Sequence, residues 1–245
     1  MNKVNPFLYQ NIENSNHWII SEIILNQCKQ HPNNKIIQFV DGPEWSFDDL
    51  KNIAFEKAKT LRDLSINQGD TVTVMVDDPV DFIPYWVASS FLGVMFVALN
   101  TALKGSVLLH QIRLANSNVI IVSDVYYEDV AQLVQENKSK IKVLNCSKLK
   151  STGMILEKDV YHGKISDEVC TMFTSGTSGP SKGVLMPNAH CVLFAVGTIE
   201  NYKLNHDHVF YISLPLFHST GPVSYTNLLH AQSPHSSSSL FAMST

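Results

Sequence analysis

Five short apolar runs, separated by stretches of helical periodicity, constrain the fold more than any other feature of the chain. Thr71 to Val76 alternates threonine with apolar residues, the pattern of a half-buried strand. Val94 to Leu99, Asn118 to Ser123, Ile141 to Leu144 and Val169 to Phe173 read as further strands. Helical patterns lie between them, from residue 79 to Leu92, from Ser106 to Ala115 and from Tyr126 to Asn137. Strands alternating with helices of this length predict an α/β fold, with a parallel sheet flanked by helices on both faces.

The same periodicity extends to either side. Trp18 to Cys28 carries apolar residues at helical spacing, Lys35 to Val40 reads as a strand, and Asp41-Gly42 as a turn. Ser46 with Asp49 three residues on is a capping-box start for a helix through about Leu64. Val184 to Met186 and Val209 to Leu214 are strand-like, with a helix from Asn188 to about Glu200 between them. Residues 1–16 read as a polar flexible arm, and residues 145–166 as a polar, solvated linker.

Phe82 to Leu99 contains 18 residues without a charge, the lower edge for a membrane-spanning helix. Pro84 suits a first helical turn and Gly93 a helix end, so a buried helix followed by a buried strand is the preferred reading. No membrane span is expected, though peripheral membrane contact stays open.

Six of the seven positions after Phe173 are Gly, Ser or Thr, and a cation, Lys182, follows Gly179 by three residues. Glycines let a backbone approach a ligand and turn its N–H groups inward, hydroxyls add donors, and a lysine sets a compact positive charge beside phosphate oxygens. The bland alternative is a flexible Gly/Ser surface turn; strand-like runs on both sides and the lysine at the exit favour phosphate binding. It is not a Walker A loop, because Ser181 precedes the lysine and Gly183 follows it. No dinucleotide fingerprint is present. Neither Ser175 nor Ser178 sits in the Gly-x-Ser-x-Gly elbow of a serine hydrolase.

A net charge of −4 and the lack of any basic run give no support to nucleic-acid binding. Cys28, Cys146, Cys170 and Cys191 are scattered, so they suggest neither a zinc site nor a disulfide framework. The apolar settings of Cys170 and Cys191 suggest core thiols. No apolar stretch opens the chain, and a reducing, cytoplasmic setting is expected.

Thr174 to Gly183 resembles the nucleotide-binding signature of the acyl-adenylate-forming enzymes, whose usual form is Thr-Ser-Gly-Thr-Thr-Gly-x-Pro-Lys-Gly. Ser178 replaces the second threonine of the pair, and Pro180-Ser181 stands where x-Pro is usual. Trp45-Ser46-Phe47 to Leu50, Gln68 to Val72, Asn100-Thr101 with Leu103 to Gly105, and Leu214-Pro215-Leu216-Phe217-His218 resemble further family segments. The pattern covers residues 17–229, leaving 230–245 as an atypical low-complexity tail. The resemblance implies the N-terminal part of an acyl-CoA synthetase-like large domain, truncated.

It also implies a reaction. A carboxylate attacks the α-phosphate of ATP, giving an acyl-adenylate and pyrophosphate, and the thiol of coenzyme A then takes the acyl group; Mg²⁺ assists. Thr174, Ser175, Gly176, Thr177, Ser178 and Gly179 would cradle the β- and γ-phosphates and Lys182 would steady them. His218 would border the acyl pocket and orient the carboxylate of a small-molecule acid, with Ser219, Thr220 and Gly221 beside it. The Pro180-Ser181 and Leu214–His218 forms look most like fatty-acid and carnitine-type CoA ligases. The sequence lacks the family's later Tyr-Gly-x-Thr-Glu motif, its ribose-binding Asp and its C-terminal adenylation Lys. A truncated or frameshifted gene product is therefore expected, as an inactive remnant or half of a split enzyme, with apolar surface left exposed.

Overall fold

The computed structural model describes residues 18–174, 179–203, 208–218 and 241–243. The elements in chain order are α1 (Ile20–Gln30), β1 (Lys35–Phe39), β2 (Glu44–Ser46), α2 (Phe47–Asp63), β3 (Thr71–Met75), α3 (Pro79–Leu92), β4 (Met95–Ala98), α4 (Gly105–Ala115), β5 (Val119–Val122), α5 (Asp124–Glu136), β6 (Lys142–Asn145), β7 (Glu168–Phe173), β8 (Gly183–Pro187), α6 (Asn188–Tyr202), β9 (Phe210–Ile212) and β10 (Phe241–Met243). They form two sheets, one of six strands in the order β6-β5-β3-β4-β7-β8 and one of four in the order β2-β1-β10-β9. The six-stranded sheet is parallel except for β8, which runs antiparallel to β7. In the smaller sheet only β2 runs antiparallel to its neighbour.

Strand alternation sorts the side chains of the six-stranded sheet into two cores. Val72, Val74, Phe96, Ala98, Val119 and Ile121 join the cluster that includes α1, α2 and α3. Met75, Leu99, Ile120 and Val122 point into the second cluster, against Leu108 and Ile112 of α4 and Val130 and Val134 of α5. Residues one apart on a strand face opposite sides, so apolar residues at every position require helices on both faces. The sequence meets that requirement with amphipathic helices of the expected lengths. Phe82 of α3 meets Phe96 of β4 edge-on at 5.2 Å between ring centres, and Phe55 of α2 meets Phe91 of α3 at 5.1 Å.

Local signals account for the helix ends. The Ser46 hydroxyl accepts from the Asp49 N–H at 3.1 Å, and the Asp49 carboxylate accepts from the Ser46 N–H at 2.8 Å. These two bonds satisfy donors that every helix N-terminus leaves bare. The Ser46 hydroxyl also donates to the Asp49 carboxylate at 2.6 Å, and this bond first, then the one from the Ser46 N–H, holds the Asp49 carboxyl below the usual carboxylate range. The uncharged stretch of 18 residues divides at its Gly: Gly93 closes α3 at φ 64°, before β4 begins, while Asp78 caps the helix and Pro79 opens it, so that Pro84, expected in the first turn, lies inside the helix as its sixth residue. Among the described residues no helix is long and apolar enough to cross a membrane.

Three segments differ from the sequence reading. The solvated linker expected over residues 145–166 is a docked strap. Ile155 and Val160 are buried, the Ile155 N–H donates to Phe55 O at 3.3 Å, and the Tyr161 N–H donates to Phe91 O at 2.7 Å. The buried Asn188 side chain ties the strap to two helices, donating to Lys164 O at 3.1 Å and accepting from the Ile20 N–H at 3.1 Å. Residues 44–46, read only as the approach to the α2 cap at Ser46, form β2 beside β1. Within the tail read as low complexity, Phe241–Met243 forms a strand between β1 and β9. The rest of residues 230–245 and the arm of residues 1–16 lie outside the described residues.

All four cysteines are buried and free, Cys28 and Cys146 as well as Cys170 and Cys191, the two expected as core thiols. Burial pushes the Cys28 and Cys146 thiols up to about 12 from an ordinary 9.0. Cys170 is also raised, first by its contact with the Cys191 sulfur 3.8 Å away and then by burial. The folded state therefore holds these protons more tightly than the unfolded chain does. The stability gained from keeping the thiols neutral is complete below about pH 9 and is lost as pH rises from there toward 12. A thiol alkylating reagent at neutral pH is expected to label none of the four in the native protein and all four in denaturant. Fast native labelling of even one would contradict this packing.

Candidate functional site

The loop singled out by its Gly, Ser and Thr content joins β7 to β8. β7 lies inside the sheet, paired with β4 on one side and β8 on the other, and Cys170, Thr171 and Met172 are buried. The hairpin closes at the pair Phe173–Gly183, so residues 174–182 are the connection. β3, β4, β5 and β7 run parallel, which places this connection at their C-terminal edge. In open α/β sheets that edge is where ligands gather. Gly183 fits for a steric reason: a Cβ there would come within 2.9 Å of the Thr171 methyl.

The base of the loop is held by reciprocal hydrogen bonds. The Thr174 N–H donates to Lys182 O at 2.9 Å, and the Lys182 N–H donates to Thr174 Oγ1 at 3.0 Å. Ser181, which is buried, donates its hydroxyl proton to Thr174 O at 2.8 Å. Gly179 has φ +146°, a conformation that residues with a side chain rarely adopt, and open space lies where its Cβ would be. A bare backbone facing open space is what close approach by a ligand requires. The Lys182 side chain is exposed and has no ion pair among the described residues. The fold thus offers an uncompensated ammonium on a backbone pinned at both neighbouring positions. Of the other loop residues expected at the site, Ser175, Gly176, Thr177 and Ser178 lie outside the described residues.

His218 belongs to the other sheet. It follows β9 and ends a turn in which its N–H donates to Pro215 O at 3.1 Å. Leu216 is buried and Phe217 packs against the main core, which fixes the turn, while His218 itself is exposed. The structure therefore brings Thr174, Gly179 and Lys182 together on one hairpin and sets His218 at the end of a different strand. Ser219, Thr220 and Gly221 lie outside the described residues.

Two residues that the sequence reading passed over reach the loop from α4. His110 Nε2 donates to Ser181 O at 2.9 Å, and Gln111 Nε2 donates to Ser181 Oγ at 3.2 Å. The signal for them is faint, a polar His-Gln pair interrupting the apolar run Val107-Leu108-Leu109 and Ile112. At the same sheet edge Asp77 accepts from Ser123 Oγ at 2.9 Å and from the Tyr126 hydroxyl at 3.0 Å, tying the end of β3 to the start of α5. A cavity of about 420 Å³ lined by Gln68, Gly69, Met95 and Glu168 lies at the opposite, N-terminal end of the strands and is not part of this site.

A mostly parallel α/β sheet with a Gly/Ser/Thr hairpin and an exposed lysine at its C-terminal edge is the framework of a nucleotide-binding enzyme domain. The family model for AMP-binding enzymes matches residues 24–233, and the chain belongs to that family. A 2-succinylbenzoate–CoA ligase of Oceanobacillus iheyensis is 28% identical over 211 residues, covering 85% of this chain and 41% of that protein. The human long-chain fatty acid transport protein 6 is 25% identical, covering 81% of this chain and 34% of that one. Among solved structures, the O-succinylbenzoate coenzyme A synthetase of Bacillus subtilis in complex with ATP and magnesium shares the fold at a TM-score of 0.76, with 18% identity over 90% of this chain and 56% of that one. The chain thus spans well under half the length of these curated relatives.

Proposed function

We propose that this chain binds ATP for the activation of a carboxylic acid, as the nucleotide-binding portion of an acid–CoA ligase. The observation that carries this reading is the exposed Lys182 ammonium, set beside a hairpin base fixed by Thr174 and Ser181. In such a ligase the acid displaces pyrophosphate from ATP to give an acyl-adenylate, and coenzyme A then takes the acyl group. The residues at hand suit the triphosphate part of that task. Gly179 leaves its backbone bare, Thr174 holds the hairpin closed, and Lys182 supplies a point charge that has no ion pair among the described residues. The preorganised charge does not have to be collected at the moment of binding, which is where much of its value lies.

Mg²⁺ would neutralise phosphate charge. No group of three His, Cys, Asp or Glu side chains suited to a metal occurs among the described residues. Such an ion would be carried largely on the phosphates and would keep most of its own water. In this reading His218 borders the acid and orients its carboxylate, and residues 17–229 form one adenylate-forming unit. A fatty or carnitine-type acid is the favoured substrate, on the Pro180-Ser181 and Leu214–His218 forms and on the similarity to a long-chain fatty acid transport protein.

Titration of the 245-residue chain with MgATP tests the nucleotide site directly. Saturable binding is expected; its absence at millimolar nucleotide would overturn the proposal. An acid-dependent ATP–pyrophosphate exchange assay reads the chemistry separately. Binding without exchange is expected of these 245 residues, which span well under half the length of the curated ligase relatives.

A further inference from the structure

The grip of α4 on the loop is a device that the nucleotide-binding motif itself does not contain. Ser181 Oγ has one proton, which goes to Thr174 O at 2.8 Å. Gln111 must therefore meet that oxygen as a donor, through Nε2 at 3.2 Å. The Ser181 carbonyl can only accept, so the His110 Nε2 at 2.9 Å must carry a proton. Gln111 is 4% exposed, and its Oε1 has no hydrogen-bond partner among the described residues. A buried amide with one end unsatisfied is retained at a cost, and the end that is satisfied holds the residue next to Lys182. The position of Ser181 is one where the resembled signature carries proline, which has no hydroxyl to be gripped. Pro180-Ser181 thus replaces a rigid ring with a three-way junction joining the exit of β7, the entry to β8 and α4.

We propose that His110 and Gln111 are positioning residues for the base of the loop, at Thr174, Ser181 and Lys182. They fix Ser181 and so set the direction in which Lys182 leaves the hairpin. The proposal rests on the reading of this loop as a phosphate site, but its geometry is testable without a ligand. The experiment combines amide hydrogen exchange with MgATP titration, in the wild type and in the variants His110→Ala, His110→Gln and Gln111→Ala.

Exchange at the Thr174 and Lys182 amides is expected to rise about threefold to tenfold in the two alanine variants, the equivalent of one lost hydrogen bond. Exchange in β3 should stay as in the wild type. His110→Gln, whose amide nitrogen reaches to about the place of Nε2, should restore wild-type exchange. Affinity for MgATP should fall by a similar factor in the alanine variants and return in His110→Gln. Unchanged exchange at 174 and 182, or an equal rise in β3, would overturn the proposal, and so would altered exchange with unaltered affinity. A wild-type chain that binds no MgATP would refute the phosphate reading alone, leaving exchange to decide whether α4 holds the loop.

Discussion

Gly93→Ala is expected to destabilise the protein by roughly 2–5 kcal/mol, as the sum of a left-handed backbone penalty and overpacking. Gly93 closes α3 at φ 64° and ψ 34°. Its N–H and that of Val94 turn back onto α3 carbonyls, and its own carbonyl accepts from the Gly69 N–H at 2.9 Å. A Cβ there would lie 2.5 Å from Cδ1 of Tyr161. That ring cannot readily retreat. The Tyr161 N–H is bonded to Phe91 O at 2.7 Å, and its hydroxyl donates to Asp167 Oδ2 at 2.9 Å. The clash would therefore act on the whole strap at 145–166.

Gly69→Ala separates the two causes. Gly69 also has a positive φ, of 85°, but nothing lies within 4 Å of where its Cβ would be. It should lose only the backbone share, about 1–2 kcal/mol. Urea unfolding midpoints give both values. Equal losses in the two variants would show that Tyr161 moves aside at no cost, and the packing argument would fail. Because small domains are stable by only about 5–15 kcal/mol, Gly93→Ala should also shift the thermal midpoint by several degrees.

The strap shows why part of this structure escapes a sequence reading. The helices declare themselves because burial on one face repeats every 3.6 residues, the central strands because they are short, nearly continuous apolar runs buried on both faces, and Ser46 and Gly93 mark ends by chemistry that only a helix terminus needs. Residues 145–166 are held by separate contacts, Ile155, Val160 and a few backbone bonds, which leave no period to detect. β2 and β10 have three residues each, too few for alternation to register. The candidate site divides in the same way. Gly179 and Lys182 were legible because loop composition and a nearby cation are local facts. The contribution of His110 and Gln111 depends on α4 lying against the hairpin some 70 residues away in sequence, and only the fold supplies that proximity.

Lys182→Ala is expected to weaken MgATP binding by about tenfold to a hundredfold, which corresponds to the loss of one charge-assisted hydrogen bond of roughly 1.5–3 kcal/mol. The fold itself should be indifferent. The side chain is exposed and makes no ion pair among the described residues, and only its backbone N–H and carbonyl close the hairpin with Thr174. Unchanged unfolding together with weakened binding is therefore the signature that separates a ligand-contacting lysine from a structural one. Lys182→Arg sharpens the test, because a planar fork does not replace a compact point charge at every phosphate site. It should recover the salt dependence of binding, which follows charge, but not the full affinity, which follows geometry. Binding that survives Lys182→Ala at full strength would mean that the loop meets its ligand without this charge, and the assignment of residues 174–182 as the phosphate site would fall with it.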